Sequence, residues 1–152
     1  MTKCVLNFNN FKSNVRLDLC GSKSISQRAL IINFLFPTDK KIINLSNSND
    51  TKTLSEVLSQ EGFFLNVKDG GTTLRFLLCV LALRNDNYFI NGSTSLKKRP
   101  LKKLILNLEK LGVSFQFQKN DYQIPLFIKG GVLISEELII DSNQTSQFAS
   151  AL

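Results

Sequence analysis

Residues 21–36 have the sequence GSKSISQRALIINFLF, in which a glycine turn with hydroxyls and two cations leads directly into an apolar run. The run Ala29–Phe36 is long enough for a buried helix, which would begin within the Ser/Lys cluster. Ser24 and Arg28 are four residues apart and share a helix face, with Lys23 just outside the first turn. Backbone N–H groups and the helix dipole favour negative charge there. The stretch predicts an anion site at a helix start, although serine capping followed by solvated basic residues explains the same pattern.

Strand, turn and helix signals alternate along the rest of the chain. Helices are predicted after Gly21 up to Pro37, from a cap at Asn49 or Asp50 to about Glu61, over 74–83, over 101–111 and from Ser146 onward. Strands are predicted at residues 3–8, 15–19, 41–45, 63–67, 88–90, 113–118, 126–129, 132–134 and 138–140. This order predicts an α/β fold with some internal repetition.

Length and composition restrict the classes of protein and the kinds of site that the chain can form. The 152 residues suit one domain, and no apolar run reaches the roughly 18 residues that a membrane span needs, so we expect no membrane partner. The N-terminus lacks the apolar segment of a secretory signal, which favours the cytoplasm. Three cysteines without C-x-x-C spacing indicate neither a disulfide framework nor a zinc site. With no histidine, acid–base chemistry has to use Lys, Asp, Glu or Tyr.

The net charge of +7 is compatible with nucleic acid or with small anions. The basic residues are spread along the chain, and only 97–99 and 102–103 form clusters. No strand combines aromatic and basic residues as RNA-binding sheets do. We therefore expect small anionic ligands and no nucleic acid.

Three further segments place glycine, hydroxyls or cations before a predicted helix. They are DGGTTLR at 69–75, STSLKKRP at 93–100 and SNQTSQF at 142–148. Each alone is typical of an ordinary turn or helix cap. Together with residues 21–28 they predict a ligand with more than one acidic group.

These segments resemble the motifs of one enzyme family, 5-enolpyruvylshikimate-3-phosphate synthase. GSKSISQRAL at 21–30 resembles its G-S-K-S-x-[ST]-x-R-A-L signature, and GTTLR at 71–75 its G-T-x-x-R turn. RPL at 99–101 and TSQF at 145–148 resemble its R-P-[LI] and [ST]-S-Q-[FY] segments, in the family's order. The resemblance implies an enolpyruvyl transferase-type inside-out α/β barrel of βαβαββ repeats, incomplete here, with helices inside a ring of sheets.

The implied reaction transfers the enolpyruvyl group of phosphoenolpyruvate to the 5-hydroxyl of shikimate 3-phosphate, releasing phosphate on the route to chorismate. The resemblance implies no metal or organic cofactor. It implies eight substrate-binding residues: Lys23 for both substrates, Ser24 and Arg28 for shikimate 3-phosphate, Gly71 and Arg99 for phosphoenolpyruvate, and Thr145, Ser146 and Gln147 for the shikimate pocket. Lys23 is the implied catalytic group, because it can donate a proton or stabilise charge.

The chain also departs from the family, whose members are more than twice as long and carry a second domain with the carboxylate base. We therefore expect an N-terminal portion, in which strands in 1–20 would pack with the absent domain and 21–152 form a partial shikimate-3-phosphate-binding domain. Asp69, Phe76 and Ser95 stand where many members have Asn, Pro and Arg. The alternative is a truncated or split half-enzyme that binds anionic ligands without turnover.

Overall fold

The computed structural model describes residue 16 and residues 18–131, 133–134, 137–141, 143 and 145–152. The helices in these ranges are α1 (Lys23–Leu35), α2 (Asn49–Ser59), α3 (Gly71–Ala82), α4 (Thr94–Lys97), α5 (Lys102–Lys110) and α6 (Gln147–Ala151). The strands are β1 (Phe64–Asn66), β2 (Asn87–Asn91), β3 (Ser114–Phe117) and β4 (Leu126–Lys129). Among the described residues, no helix has the length and apolar character that a membrane span requires.

The four strands form one sheet in the order β1-β2-β4-β3. β1 and β2 are parallel, and α3 makes the crossover that a parallel pair needs, whereas β4 is antiparallel to both of its neighbours. β1, α3, β2, α5, β3 and β4 therefore make one βαβαββ unit, with the short α4 inserted before α5. This confirms the α/β fold class and shows one unit of the βαβαββ type that the resemblance implies.

Helix α3 is the centre of the molecule. Its sequence GTTLRFLLCVLA is apolar almost all round, as expected for a helix that is buried on every side. It packs against α1, α2, α5, α6 and β4. Leu74, Leu77 and Leu78 are at most 1% exposed. The sheet and the neighbouring helices thus enclose α3, and this packing sets the position of its N-terminus.

The sheet has two different faces, because side chains alternate along each strand. The residues of the face that packs on the helices are Leu65, Ile90, Leu126 and Ile128. The register places Phe64, Phe89 and Phe127 side by side across three strands on the other face, with ring centroids 5.6 and 4.8 Å apart. Such cross-strand aromatic pairs hold neighbouring strands in register.

The remaining helices and strands agree with the sequence predictions to within a few residues, but two predicted strands are wrong. Residues 41–45 and 138–140 form no strand. Asn44 has a left-handed φ of +53°, which interrupts extended backbone. Ile43 and Ile139 are 85% and 86% exposed, so neither is covered by a strand of the described ranges.

Other strand predictions fall partly or wholly outside the described residues. Residues 3–8 lie outside them, as do residues 15, 17 and 132. The described parts of these predictions, residues 16, 18–19 and 133–134, form no strand.

The helix starts also differ in detail from the predictions. Lys23 is the first residue of α1 and does not precede it. Ser48, and not Asn49 or Asp50, caps α2, because its hydroxyl accepts a hydrogen bond from the Thr51 N–H. The short helix α4 was not expected, since its sequence has no apolar periodicity.

The predicted burial of the apolar run Ala29–Phe36 is wrong. Ile32 and Phe36 are 60% and 70% exposed, whereas Ser26 and Gln27 are the buried residues of α1. The polar side chains are buried because they find hydrogen-bond partners near α2 and α3. α1 therefore packs on its neighbours through Ser26 and Gln27, which the sequence had placed in the polar cluster and not in the buried run.

We predict that Leu78→Ala lowers the free energy of unfolding by about 2–5 kcal/mol, because it leaves a cavity beside a fully buried helix. Leu83→Ala is the matched control, since Leu83 ends the same helix with a 55% exposed side chain and should change stability by less than about 1 kcal/mol. Urea unfolding measures both. Equal losses would contradict the central position of α3.

Candidate functional site

The first turn of α1 is anchored at both sides. Gly21 lies so close to the Asn44 carbonyl that no Cβ fits. The buried Ser26 hydroxyl accepts a hydrogen bond of 2.8 Å from the Ser46 N–H. The Ser22 hydroxyl, in contrast, makes no capping bond to the described part of the helix. Serine capping therefore does not account for the hydroxyl cluster at the start of α1.

Lys23 pairs with an acidic residue that the sequence analysis treated only as a possible cap. Its Nζ lies 2.9 Å from Oδ2 of Asp50 in the first turn of α2. The Lys23 side chain is still 51% exposed. Because an exposed pair of this kind contributes little to stability, its main effect is to hold the ammonium at the helix starts.

Arg28 is fixed by contacts on three sides. Its Nη1 donates to the carbonyl and the hydroxyl of Ser24, one turn earlier on α1. Its Nη2 donates to Oγ of Ser150 on α6 at 3.1 Å. The guanidinium carbon lies 5.4 Å from the ring centroid of Phe76 on α3, a cation–π contact. Ser24 and Arg28 thus share a face, as the sequence predicted, and Arg28 joins α1, α3 and α6.

A buried hydrogen-bond chain ties the starts of three helices together. Nε2 of the fully buried Gln27 donates to Oγ1 of Thr73 on α3 at 2.9 Å. The Thr73 hydroxyl donates to the backbone carbonyl of Asp50 on α2 at 3.2 Å. Sequence reasoning missed this chain, although both side chains lie within two residues of a motif position.

The start of α3 is built for close approach. A Cβ at Gly71 would lie 2.6 Å from Nη1 of Arg99, so the arginine covers this residue directly. A Cβ at Gly70 would lie 2.7 Å from Oγ1 of Thr73. Since the first N–H groups of a helix have no partner within it, Arg99 and the α3 start can hold an anion between them.

Asp69 supports the segment that carries Arg99. The Ser93 and Ser95 hydroxyls both donate to its Oδ1, the second at 2.8 Å. Ser93 also caps α4, which ends two residues before Arg99. These two hydrogen bonds, and to a smaller extent the charge of Arg99, lower the pKa of Asp69 from its usual 3.8, against a small opposing effect of burial.

Helix α6 brings the last motif to α3. Oγ1 of Thr145 accepts a hydrogen bond from the Gln147 N–H at 3.2 Å, and Ser146 precedes the helix. Oε1 of Gln147 accepts a 2.7 Å bond from Nη1 of Arg75. Phe148 is 1% exposed and anchors the helix in the core.

The structure therefore places the predicted site residues in two groups. Lys23, Ser24 and Arg28 lie at the start of α1, while Gly71, Arg99 and Gln147 lie around the start of α3. The two groups are joined through the buried hydrogen-bond chain and through α6, whose residues contact both Arg28 and α3. Thr145 and Ser146 lie beside the second group at the start of α6.

The electrostatic character of the site is positive, because its lysine and arginines outnumber its carboxylates. The described residues hold no cluster of three side chains that could ligate a metal ion. The arrangement can bind a ligand with several acidic groups and stabilise negative charge that develops on it.

The fold matches part of the fold of EPSP synthases. Two solved structures, both EPSP synthases from Acinetobacter baumannii, superpose on it with TM-scores of 0.68 and 0.66 at 19% and 20% identity. They cover 89% and 87% of this chain, which corresponds to 37% and 36% of theirs.

The family model described as EPSP synthase (3-phosphoshikimate 1-carboxyvinyltransferase) matches residues 56–152, and the chain belongs to this family. A 3-phosphoshikimate 1-carboxyvinyltransferase from Bacteroides fragilis is 34% identical over 136 residues, which are 90% of this chain and 33% of the relative. One from Petrotoga mobilis is 32% identical over 164 residues, with 91% and 38% covered. The chain thus spans 33% to 38% of the length of these relatives.

We predict that Asp69→Asn makes stability less dependent on pH below about pH 5. A carboxylate whose pKa is lowered in the folded state stabilises the fold above its unfolded pKa, and this contribution is lost as the pH falls through the folded pKa. Melting temperatures between about pH 2.5 and pH 6 should therefore converge for the unmodified chain and the variant at the acid end. A difference that is constant with pH would contradict the role of the carboxylate.

Proposed function

We propose that this chain provides the shikimate 3-phosphate-binding part of a 3-phosphoshikimate 1-carboxyvinyltransferase. The whole enzyme would transfer the enolpyruvyl group of phosphoenolpyruvate to the 5-hydroxyl of shikimate 3-phosphate and release phosphate. The observation that carries the proposal is the pairing of two cationic helix starts: Lys23 and Arg28 at α1, and Arg99 over Gly71 at α3. Two phosphates and a carboxylate must meet in this reaction, and two such starts suit them.

Each group receives a role in the proposal. Lys23, Ser24 and Arg28 bind shikimate 3-phosphate, with Arg28 held ready by its contacts to α3 and α6. Gly71 and Arg99 bind phosphoenolpyruvate at the start of α3. The shikimate pocket is lined by Thr145, Ser146 and Gln147.

Lys23 is the proposed catalytic group. Its side chain is half exposed and is held at the starts of α1 and α2 by Asp50, and the family resemblance assigns it contacts to both substrates. A positive group in this position stabilises the charge that develops in the tetrahedral addition step, or donates the proton. Its partner Asp50 keeps the ammonium oriented while no substrate is bound.

A second domain completes the proposed enzyme. It would supply the base for the shikimate hydroxyl and further contacts to phosphoenolpyruvate, and residues 1–20 would pack with it. The difference in length between this chain and its relatives favours the alternative for the isolated 152 residues, which is ligand binding without turnover. The cytoplasmic location and the exclusion of nucleic acid and membrane partners stay predictions.

The test uses two samples, the isolated 152-residue chain and the longest natural polypeptide that contains it. Calorimetry with shikimate 3-phosphate should detect binding to the longest polypeptide. A coupled phosphate-release assay should detect turnover only in a sample that contains the second domain. Absence of both binding and turnover in the longest polypeptide would overturn the proposal, and turnover by 152 residues alone would overturn the need for a second domain.

We predict that Lys23→Ala lowers kcat of the longest polypeptide by at least about 100-fold, because it removes the only proposed catalytic ammonium. Arg28→Ala should weaken shikimate 3-phosphate binding by about 10- to 100-fold through loss of charge-assisted hydrogen bonds. Lys52→Ala and Arg84→Ala are controls of the same charge outside the site, expected to change neither quantity. Circular dichroism checks folding, and collapse of the site variants alone would indicate a structural role.

We also predict that Gly71→Ala raises the KM for phosphoenolpyruvate by about tenfold or more. The added Cβ would lie only 2.6 Å from Nη1 of Arg99, so the guanidinium would have to move away. The KM for shikimate 3-phosphate and the melting temperature should change little, since alanine is tolerated in a first helical turn. The double variant Gly71→Ala with Arg99→Ala should be no worse than Arg99→Ala alone. Multiplied effects in the double variant would show that Gly71 acts independently of Arg99.

A further inference from the structure

Arg75 is a buried cation at the centre of the site that none of the proposed roles includes. It lies one turn into α3 and is 7% exposed. Burial, and then the nearby charge of Arg99, lower the pKa of its guanidinium. Its Nε is buried without a hydrogen-bond partner among the described residues. A buried and incompletely paired guanidinium costs stability, so its presence calls for another reason.

The contacts of Arg75 point away from the core and toward the motif at the start of α6. Nη1 donates to Oε1 of Gln147 at 2.7 Å and, more weakly, to the Gly71 carbonyl at 3.4 Å. The guanidinium carbon also lies 5.6 Å from the ring centroid of Phe148. Arg75 therefore holds two successive residues of α6 from its place on α3.

The bond to Gln147 fixes more than a position. A guanidinium can only donate hydrogen bonds, so the amide oxygen of Gln147 must face Arg75. The amide nitrogen is then turned to the other side of the same planar group, where it can only donate. Without Arg75 the amide could rotate by half a turn and present its oxygen instead.

We propose that Arg75 is a positioning residue, which fixes the side-chain amide of Gln147 so that its N–H groups face the bound ligand. The role rests on the proposed function, in which Gln147 lines the shikimate pocket. A donor suits that pocket because the hydroxyl and phosphate oxygens of shikimate 3-phosphate accept hydrogen bonds. The charge of Arg75 adds to that of Arg99, but among the described residues it is Arg75 that sets the hydrogen-bond direction of the Gln147 amide.

The first experiment substitutes Arg75→Lys in the longest natural polypeptide. Lysine keeps the charge beside Arg99 but lacks the planar fork, so it cannot hold the amide and stack on Phe148 together. The KM for shikimate 3-phosphate should rise about tenfold, while kcat and the KM for phosphoenolpyruvate change less than about threefold. Arg84→Lys is the matched control, because the Arg84 guanidinium also lies over a ring, that of Phe34 at 5.0 Å, away from α6.

A double-mutant cycle separates positioning from mere stability. If Arg75 acts through Gln147, Arg75→Lys combined with Gln147→Ala should raise the KM for shikimate 3-phosphate no more than the worse single variant. Multiplied effects would overturn the proposal. The proposal would also be overturned if the unmodified polypeptide is active and Arg75→Lys leaves its KM for shikimate 3-phosphate unchanged. An unmodified polypeptide that neither binds nor converts shikimate 3-phosphate would overturn the proposed function itself, and this role with it.

A second variant keeps the inference testable even if Arg75→Lys does not fold. Gln147→Glu still offers an oxygen to the guanidinium and makes the hydrogen bond charge-assisted. It should therefore melt at or above the temperature of Gln147→Ala, yet bind shikimate 3-phosphate less tightly than the unmodified polypeptide, because it has lost the donor. A Gln147→Glu chain that melts below Gln147→Ala would show that Arg75 does not donate to this side chain.

Discussion

The burial of α3 on every side is the constraint on which the rest of the structure depends. Because a sheet and four other helices enclose α3, only Thr72 and Cys79 are partly exposed along its length. Its N-terminus begins at Gly71, where backbone N–H groups lack partners within the helix. The core therefore delivers a rigid, positively polarised helix end to the place where Arg99 covers it. The packing that buries α3 thus also sets the position of the proposed anion site.

Apolar contacts and polar contacts make different contributions around this helix. The leucines at 74, 77 and 78 are part of the apolar core, and each buried side chain contributes about 1.5–3 kcal/mol. The hydrogen bonds from Gln27 to Thr73 and on to α2 contribute only about 1 kcal/mol each. They are directional, however, and they set how α1 and α2 meet α3. Apolar burial thus stabilises the fold, while the side chains of Gln27 and Thr73 align the helix starts.

Local signals in the sequence were sufficient for most elements and for the positions of the motif residues on helix starts. The same signals failed at 41–45, which resembles a strand but pairs with no strand among the described residues, because a five-residue pattern does not determine strand pairing. They also failed for the exposure of α1, since burial depends on what packs against an apolar run. The contacts of Lys23 with Asp50 and of Arg75 with Gln147 span 27 and 72 residues. Such pairs follow from the topology, which short motifs do not contain.

The contact between Arg28 and Ser150 cannot form until α6 has been synthesised. These two residues are 122 positions apart. At a synthesis rate of roughly 5–20 residues per second, α1 leaves the ribosome on the order of ten seconds before α6 exists. During that interval Ile32 and the other exposed apolar side chains of α1 are present without the contact that orients Arg28. The orientation of Arg28 on α1 therefore depends on translation reaching α6, 122 positions later.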